Sequence, residues 1–481
     1  MLLQLLPLLS ALSGAALAAT PVTYVDALDE ALEANTSVLG AEADYASAEG
    51  RLLSATGTWD PTLTANLSQN TNLEQGRFQS FGYESDTTNR SWAAGLSQTF
   101  WTGTSWGIDY SGNNNNQFVL YPESGAELDV DSFSSNLSAS ITQQLLKGWK
   151  MSYNLQAQNA ARRGMSISEA GLVQTRQAVL AGTARAYWDL YAAGRQLEVA
   201  DRAVRVTKEE ERIVEAQVEA GNMAPIELTR VAAALAQAEL NRINAKMGLQ
   251  SASDALALQI GRDPGEALEP VTAPGAPPSV DIDVDAAREA ALEGNPGLLI
   301  QRVNLDGAEI ELANARHGRL PTLSVTGRFG LNGYAEENSP TYADAFSEMM
   351  SFDYQNRYLG ANVSTPLGWR SERGNVQSAA GSVEKAKVDL LASEREVSQQ
   401  VGALVRTIEN AQKSVQLAEL NLKLAEETLA AEKARQEVGR AIQKDILEAQ
   451  RARDNAESGL ITARIDYRKA LVDLKALQGK L

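Results

Sequence analysis

The sequence predicts an α+β protein: a long antiparallel, coiled-coil-like α-helical barrel joined to a transmembrane β-barrel that several copies complete, both parts built on an internal structural duplication. Three observations carry this expectation. They are a repeat of more than 200 residues, two blocks in which apolar and polar residues alternate, and runs of strong helix formers too long for a globular core.

The repeat comes first because it divides the chain. A shift of 260 residues lays 27–63 on 287–323 without a gap and matches thirteen positions, among them Leu32/Leu292, Glu33/Glu293, Asn35/Asn295, Glu49/Glu309 and Pro61/Pro321. Ala and Leu bias explains some matches, but not Asn and Pro at one offset. A second shift, of 218, pairs Ala200 with Ala418, Gly221 with Gly439, Leu256 with Leu474 and Gly261 with Gly479. The first copy therefore carries roughly forty more residues than the second, inserted after Pro61. The expected division is a signal peptide at 1–19, a first repeat at 20–261, a linker at 262–283 and a second repeat at 284–481. Pro270, Pro274, Pro277 and Pro278 punctuate the join, which reads as a spacer.

The first nineteen residues form an uncharged Leu/Ala run ending in Ala16-Leu17-Ala18, the small-residue pattern of a cleaved export signal, although the usual basic start is missing; an anchor helix is the competing reading. No later stretch of eighteen apolar residues exists to form a spanning helix, so membrane insertion would require strands. The chain has no cysteine, which excludes disulfides, thiolate chemistry and an acylated N-terminal Cys. Its formal charge of -18 argues against nucleic acid and suits a cation-preferring lumen.

Helices are expected at 22–58, 151–220, 225–260, 284–318, 373–438 and 442–479, all rich in Ala, Leu, Glu, Gln, Arg and Lys. At 1.5 Å per residue, the longest would reach roughly 100 Å. Strands are expected at 62–146 and 322–366, and all eight Phe lie in these two windows. Leu63, Ala65 and Leu67 alternate with Thr64, Asn66 and Ser68; Leu323, Val325, Phe329 and Leu331 alternate with Ser324, Thr326 and Arg328; and Leu137, Ala139 and Ile141 alternate with Asn136, Ser138 and Ser140. One face is apolar and the other small and polar, which suits a lipid-facing wall around water and also a half-buried soluble sheet. So few strands cannot enclose a channel in one chain, so several chains must contribute.

At this point the pattern resembles the TolC-type outer-membrane factors. The markers are Asn35 and Asn295, each followed three residues on by an aliphatic (Val38 and Leu298), the Pro-x-Leu strand entries at Pro61 and Pro321, and the strand exits QQLLKGW at 143–149 and TPLGW at 365–369. The resemblance covers nearly the whole mature chain. It implies a barrel completed by trimerisation, with twelve strands in the outer membrane and a twelve-helix tunnel in the periplasm. It further implies export of small molecules or proteins as a homotrimer embedded in outer-membrane lipid, recruited by a periplasmic adaptor protein and an inner-membrane RND or ABC transporter. No cofactor, metal, nucleic acid or catalysis is implied. The extra stretches WAAGLSQTF and SWGIDYSGN, near 91–117, depart from this pattern; we expect them to form a hairpin or loop outside the minimal barrel. Trp92, Trp101 and Trp106 suit either an interfacial girdle or ordinary strand packing.

Each copy has one Gly-marked turn between long helices, EAGNMAPIELTR at 219–230 and EVGRAIQKDILEAQ at 437–450. The resemblance makes these turns the periplasmic tip, with Gly221, Val438, Gly439 and Arg440 as adaptor-contact candidates. It makes Asp445, Glu448 and Glu227 candidates for an acidic ring at the pore entrance, which three-fold symmetry would multiply. The alternative is that Glu227 and Asp445 complement helix N-termini while Glu448 pairs with Arg451 or Arg440. His317, the lone histidine, has no Ser, Cys or metal-ligand partner at meaningful spacing. A pore-free periplasmic adaptor would account for the helices but not the strands, and a porin for the strands but not the helices.

Overall fold

The computed structural model describes residues 20–78, 81–275, 282–336, 340–437 and 443–481; the expected signal peptide lies outside them. In chain order the first repeat contains β1 (Thr20–Val22), α1 (Tyr24–Ala34), α2 (Thr36–Thr56), β2 (Thr62–Phe78), β3 (Phe81–Thr99), β4 (Thr104–Tyr121), β5 (Ala126–Gln144), α3 (Met151–Asn154), α4 (Gln156–Glu219) and α5 (Pro225–Gln259). After β6 (Leu268–Pro270), the second contains α6 (Val284–Gly294), α7 (Pro296–His317), β7 (Thr322–Ala335), α8 (Tyr342–Met350), β8 (Gln355–Ser364), α9 (Arg370–Glu437) and α10 (Gln443–Leu477). Two compact units result, and α2, α4, α7 and α9 each contribute residues to both.

In the helical unit, α4 and α9 run for 64 and 68 residues, and α5 and α10 for 35 each. The long helices form where the sequence places its strong helix formers. The expected helices at 22–58 and 284–318 are each broken once, at Asn35 and Asn295, because these residues adopt extended backbone and cap the helix that follows. Two main cores form, each drawn mostly from one repeat, although Ile465 of α10 joins the first. Ala27, Ala31, Tyr187, Leu190, Leu256 and Ile260 pack in the first, and Ala291, Leu298, Val401, Ile408, Tyr467 and Leu474 in the second. The small Ala side chains let helices approach closely at these contacts.

The linker is more than a spacer, which corrects the sequence expectation. Its residues 268–270 pair in parallel with 20–22, and Tyr187 Oη donates to the Val22 carbonyl at 3.1 Å while accepting from Thr272 N at 2.8 Å. A buried Tyr with both hydrogen-bonding roles used fastens the segment to α4.

The second unit is built on one antiparallel sheet of order β2-β3-β4-β5-β7-β8. The stretches near 91–117 form the facing parts of β3 and β4, paired along almost their whole length with β2 and β5. The hairpin expected outside the minimal barrel is therefore in the sheet, a second correction. Its physical basis is phase: Trp92, Ala94 and Leu96 of β3 and Trp106, Ile108 and Tyr110 of β4 fall on the same face as Leu63, Ala65 and Leu67 of β2 and Leu137, Ala139 and Ile141 of β5. The opposite face carries Thr64, Gly95, Asp109 and Ser138 in one cross-strand row, and Asn66, Ala93, Ser111 and Asn136 in the next.

The short amphipathic helix α8, opened by a Thr341–Asp344 capping box, lies on the apolar face. Tyr342 meets the Phe133 ring at 4.7 Å between centroids and Trp92 at 6.2 Å, and Phe346 meets Tyr110 at 6.1 Å. Trp92 thus belongs to an aromatic cluster under α8, while Trp106 stands at the other end of the apolar band and Trp101 in the β3–β4 turn.

Candidate functional site

The turn joining α4 to α5 follows from its residues. Gly221 sits at φ +73°, in the left-handed region, so its own N–H reaches the Val218 carbonyl at 3.0 Å and Asn222 N–H reaches Gln217 at 2.9 Å. Carbonyls at the end of α4 are thereby satisfied. Pro225 then opens α5, where the missing N–H costs nothing. Ala224 offers no side-chain cap, and Glu227 supplies the first-turn negative charge instead. Its two carboxylate oxygens accept from Arg230 Nη1 at 2.9 and 3.0 Å. Glu227 therefore has a partner within its own helix.

The corresponding turn between α9 and α10 is described only up to Glu437 and from Gln443; Val438, Gly439 and Arg440 lie outside the described residues. Asp445 is half-buried in the first turn of α10, and Glu448 is exposed one turn on. Glu448 Oε1 stands 3.5 Å from Lys444 Nζ, an i,i+4 pair. Lys444 is the ion-pair partner seen for Glu448 among the described residues; Arg440 lies outside them.

Arg451 instead offsets the charge of Glu210 on α4, a residue the sequence alone did not single out. Glu210 is only 4% exposed, and its Oε2 has no hydrogen-bond partner among the described residues. Burial pushes its carboxyl above the ordinary glutamate range, and the Arg451 guanidinium works against that shift. Further along the same two helices, Arg202 of α4 reaches Glu457 at 2.6 Å and Asp454 at 3.6 Å, while Arg453 reaches the same two acids at 2.8 and 3.1 Å. The acids raise the Arg202 pKa, chiefly through the hydrogen bond that Arg202 donates to Glu457. Glu210 sits in the run Lys208–Arg212, which reads as a solvated charged face; its phase with Thr207 and Val214, both buried, is the signal that turns it inward.

His317 serves the fold. Its Nε2 lies 2.9 Å from the Lys147 carbonyl and its ring stands 5.3 Å from Tyr153. Among the described residues, no group of His, Asp and Glu side chains is arranged to hold a metal ion, and no helix is long and apolar enough to cross a membrane.

Comparison with known proteins agrees with this architecture. The family model described as outer membrane efflux protein matches residues 103–262 and 287–480, one segment in each repeat. Outer membrane protein TolC of Vibrio cholerae is 27% identical over 201 residues, 41% of this chain and 44% of that protein. The chain thus aligns with less than half the length of that relative. Alkaline protease secretion protein AprF of Pseudomonas aeruginosa is 26% identical over 365 residues, 73% of this chain and 71% of that protein. The crystal structure of the outer membrane protein VceC from Vibrio cholerae superposes with a TM-score of 0.67 at 17% identity, covering 95% of this chain and 96% of that one. This last likeness shows that the two share a fold.

Proposed function

The chain belongs to the outer membrane efflux protein family, whose TolC-type members are transport components and not enzymes, and from that premise we propose that it is one protomer of a homotrimeric export duct. The duct crosses the outer membrane through its strands and the periplasm through its helices. It takes cargo from an inner-membrane RND or ABC transporter, to which a periplasmic adaptor recruits it. The observation that carries this reading is the two-faced sheet. Leu67 is 85% exposed and Leu359 81%, on a face that water would penalise and lipid would not, while the other face presents small polar side chains fit to line water.

Control is assigned to the two helix turns. Gly221, with Val438, Gly439 and Arg440, forms the adaptor-binding tip. Asp445 and Glu448, repeated by three-fold symmetry, form the acidic ring at the entrance, where they select cations and bind polyvalent ones. Glu227, held by Arg230, contributes charge to the helix start more than to the ring. The test is divalent-cation block of the purified channel in planar bilayers. The Asp445→Asn/Glu448→Gln double variant is expected to lose the block, and block at wild-type strength would sink the ring assignment.

A further inference from the structure

We propose that the barrel of this protein has eighteen strands, six from each protomer of the trimer, and that β8 of one copy pairs with β2 of the next. The inference rests on the trimeric channel reading above and adds to it the width of the outer-membrane pore.

Three features place β3 and β4 in the wall. First, they are internal to the sheet: β3 pairs with both β2 and β4, and β4 with both β3 and β5, so removing them would detach β2 from the sheet and strip β5 of one of its two neighbours. Second, their lower turn is built into the base of the sheet. Gly103, at φ +74°, accepts from Gln144 N at 3.0 Å and lies so close to the Gly148 carbonyl that a side chain would collide with it. Asn154 Nδ2 ties the Trp101 and Gly148 carbonyls together at 2.8 and 2.7 Å. A flap outside the barrel has no need of such anchoring. Third, the apolar band continues across them in register, from Leu63 through Leu96 and Ile108 to Ala139 and Phe329.

The open edges fit closure by copies of the same chain. Among the described residues β2 and β8 are the two edges of the sheet, and both carry strongly exposed aliphatic side chains on the apolar face, Leu63 and Leu67 on one and Leu359 and Val363 on the other. With six strands alternating in direction, β8 runs opposite to the β2 it would meet, so every junction is antiparallel. Since barrel diameter grows about linearly with strand number, eighteen strands widen the pore roughly 1.5-fold over twelve and about double its cross-section.

The chain lacks cysteine, so single-Cys variants report cleanly. A fluorophore at Ala94→Cys on β3 or Ile108→Cys on β4, in trimers reconstituted with nitroxide-labelled lipid, should lose its emission as fully as one at Leu359→Cys on β8. Ala93→Cys and Ser111→Cys, on the polar face, should escape quenching and react with a water-soluble maleimide. Electron cryomicroscopy of the same trimer should count eighteen strands. Unquenched, water-reactive 94 and 108 beside a quenched 359, or a count of twelve, overturns the proposal and leaves the channel reading standing. An unquenched 359 overturns both.

Discussion

Asn295 donates its side-chain amide to the main-chain carbonyl of Leu477 at 3.1 Å, and Asn35 does the same to Gln259 at 2.8 Å. The two bonds are one bond written twice. Asn35 and Asn295 are related by the 260-residue shift, Gln259 and Leu477 by the 218-residue shift, so both registers of the duplication meet in a single contact. The same amide side chains accept from Ser37 N and Leu298 N, opening α2 and α7. Beside them, Gly261 and Gly479, at φ +75° and +66°, lie against the Ala34 and Gly294 carbonyls, where a Cβ would collide. Replacing either Asn by Ala is expected to cost about 1–2 kcal/mol, since it removes a cap and leaves a carbonyl unpaired. Thermal unfolding of N35A and N295A should show similar losses that add in the double variant, because the two contacts share no partner.

Glu210 gives the helical unit a pH dependence. Its carboxyl is raised, first by burial and then reduced by Arg451, so the fold favours its protonated form. A group raised in this way contributes stability that is fully present below its unfolded pKa and lost as pH rises through its folded pKa. Glu210→Gln, which cannot ionise, should therefore unfold at higher temperature than wild type at neutral pH, by the equivalent of about 1 kcal/mol. The gain should shrink as pH falls into the carboxylate range. A gain independent of pH would show that Glu210 is not the titrating group.

The Arg202 cluster clamps α4 to α10. Arg202→Ala leaves Asp454 and Glu457, which are largely buried, to Arg453 and Arg195 alone. A loss of about 1–2 kcal/mol is expected, larger than an exposed pair would give. Denaturant unfolding in low and high salt should show that most of this loss survives screening, as partly buried pairs require.

The turn at Gly221 depends on a left-handed backbone that other residues resist. Gly221→Ala is expected to cost about 1 kcal/mol locally. Because no described residue crowds the Cβ position there, the cost is conformational and not steric. Hydrogen exchange should quicken at the Asn222 amide and the end of α4 while the core amides near Tyr187 stay protected.

Much of this was legible in the residues because periodicity and duplication are properties of the chain. The alternation of Leu63, Ala65 and Leu67 with Thr64 and Asn66 reads as a two-faced strand, and Gly221 with Pro225 reads as a helix stop and start. Long-range pairing was not legible. Whether β3 and β4 join the sheet depends on which strands they meet, and the phase of Trp92, Ala94 and Leu96 could have indicated it only once compared across strands. The linker was misread because Pro-rich composition hides Leu268–Pro270, a short strand whose partner lies some 250 residues earlier. Glu210 escaped notice because a charged run gives no sign of which member faces a neighbouring helix.

The most direct test of the account is single-channel recording of the purified, detergent-extracted protein in planar bilayers. A trimeric duct predicts discrete conductance steps from the trimer fraction, cation selectivity, and loss of divalent block in the Asp445→Asn/Glu448→Gln variant. A stable outer-membrane trimer that conducts nothing, even after the acids are neutralised, would contradict it.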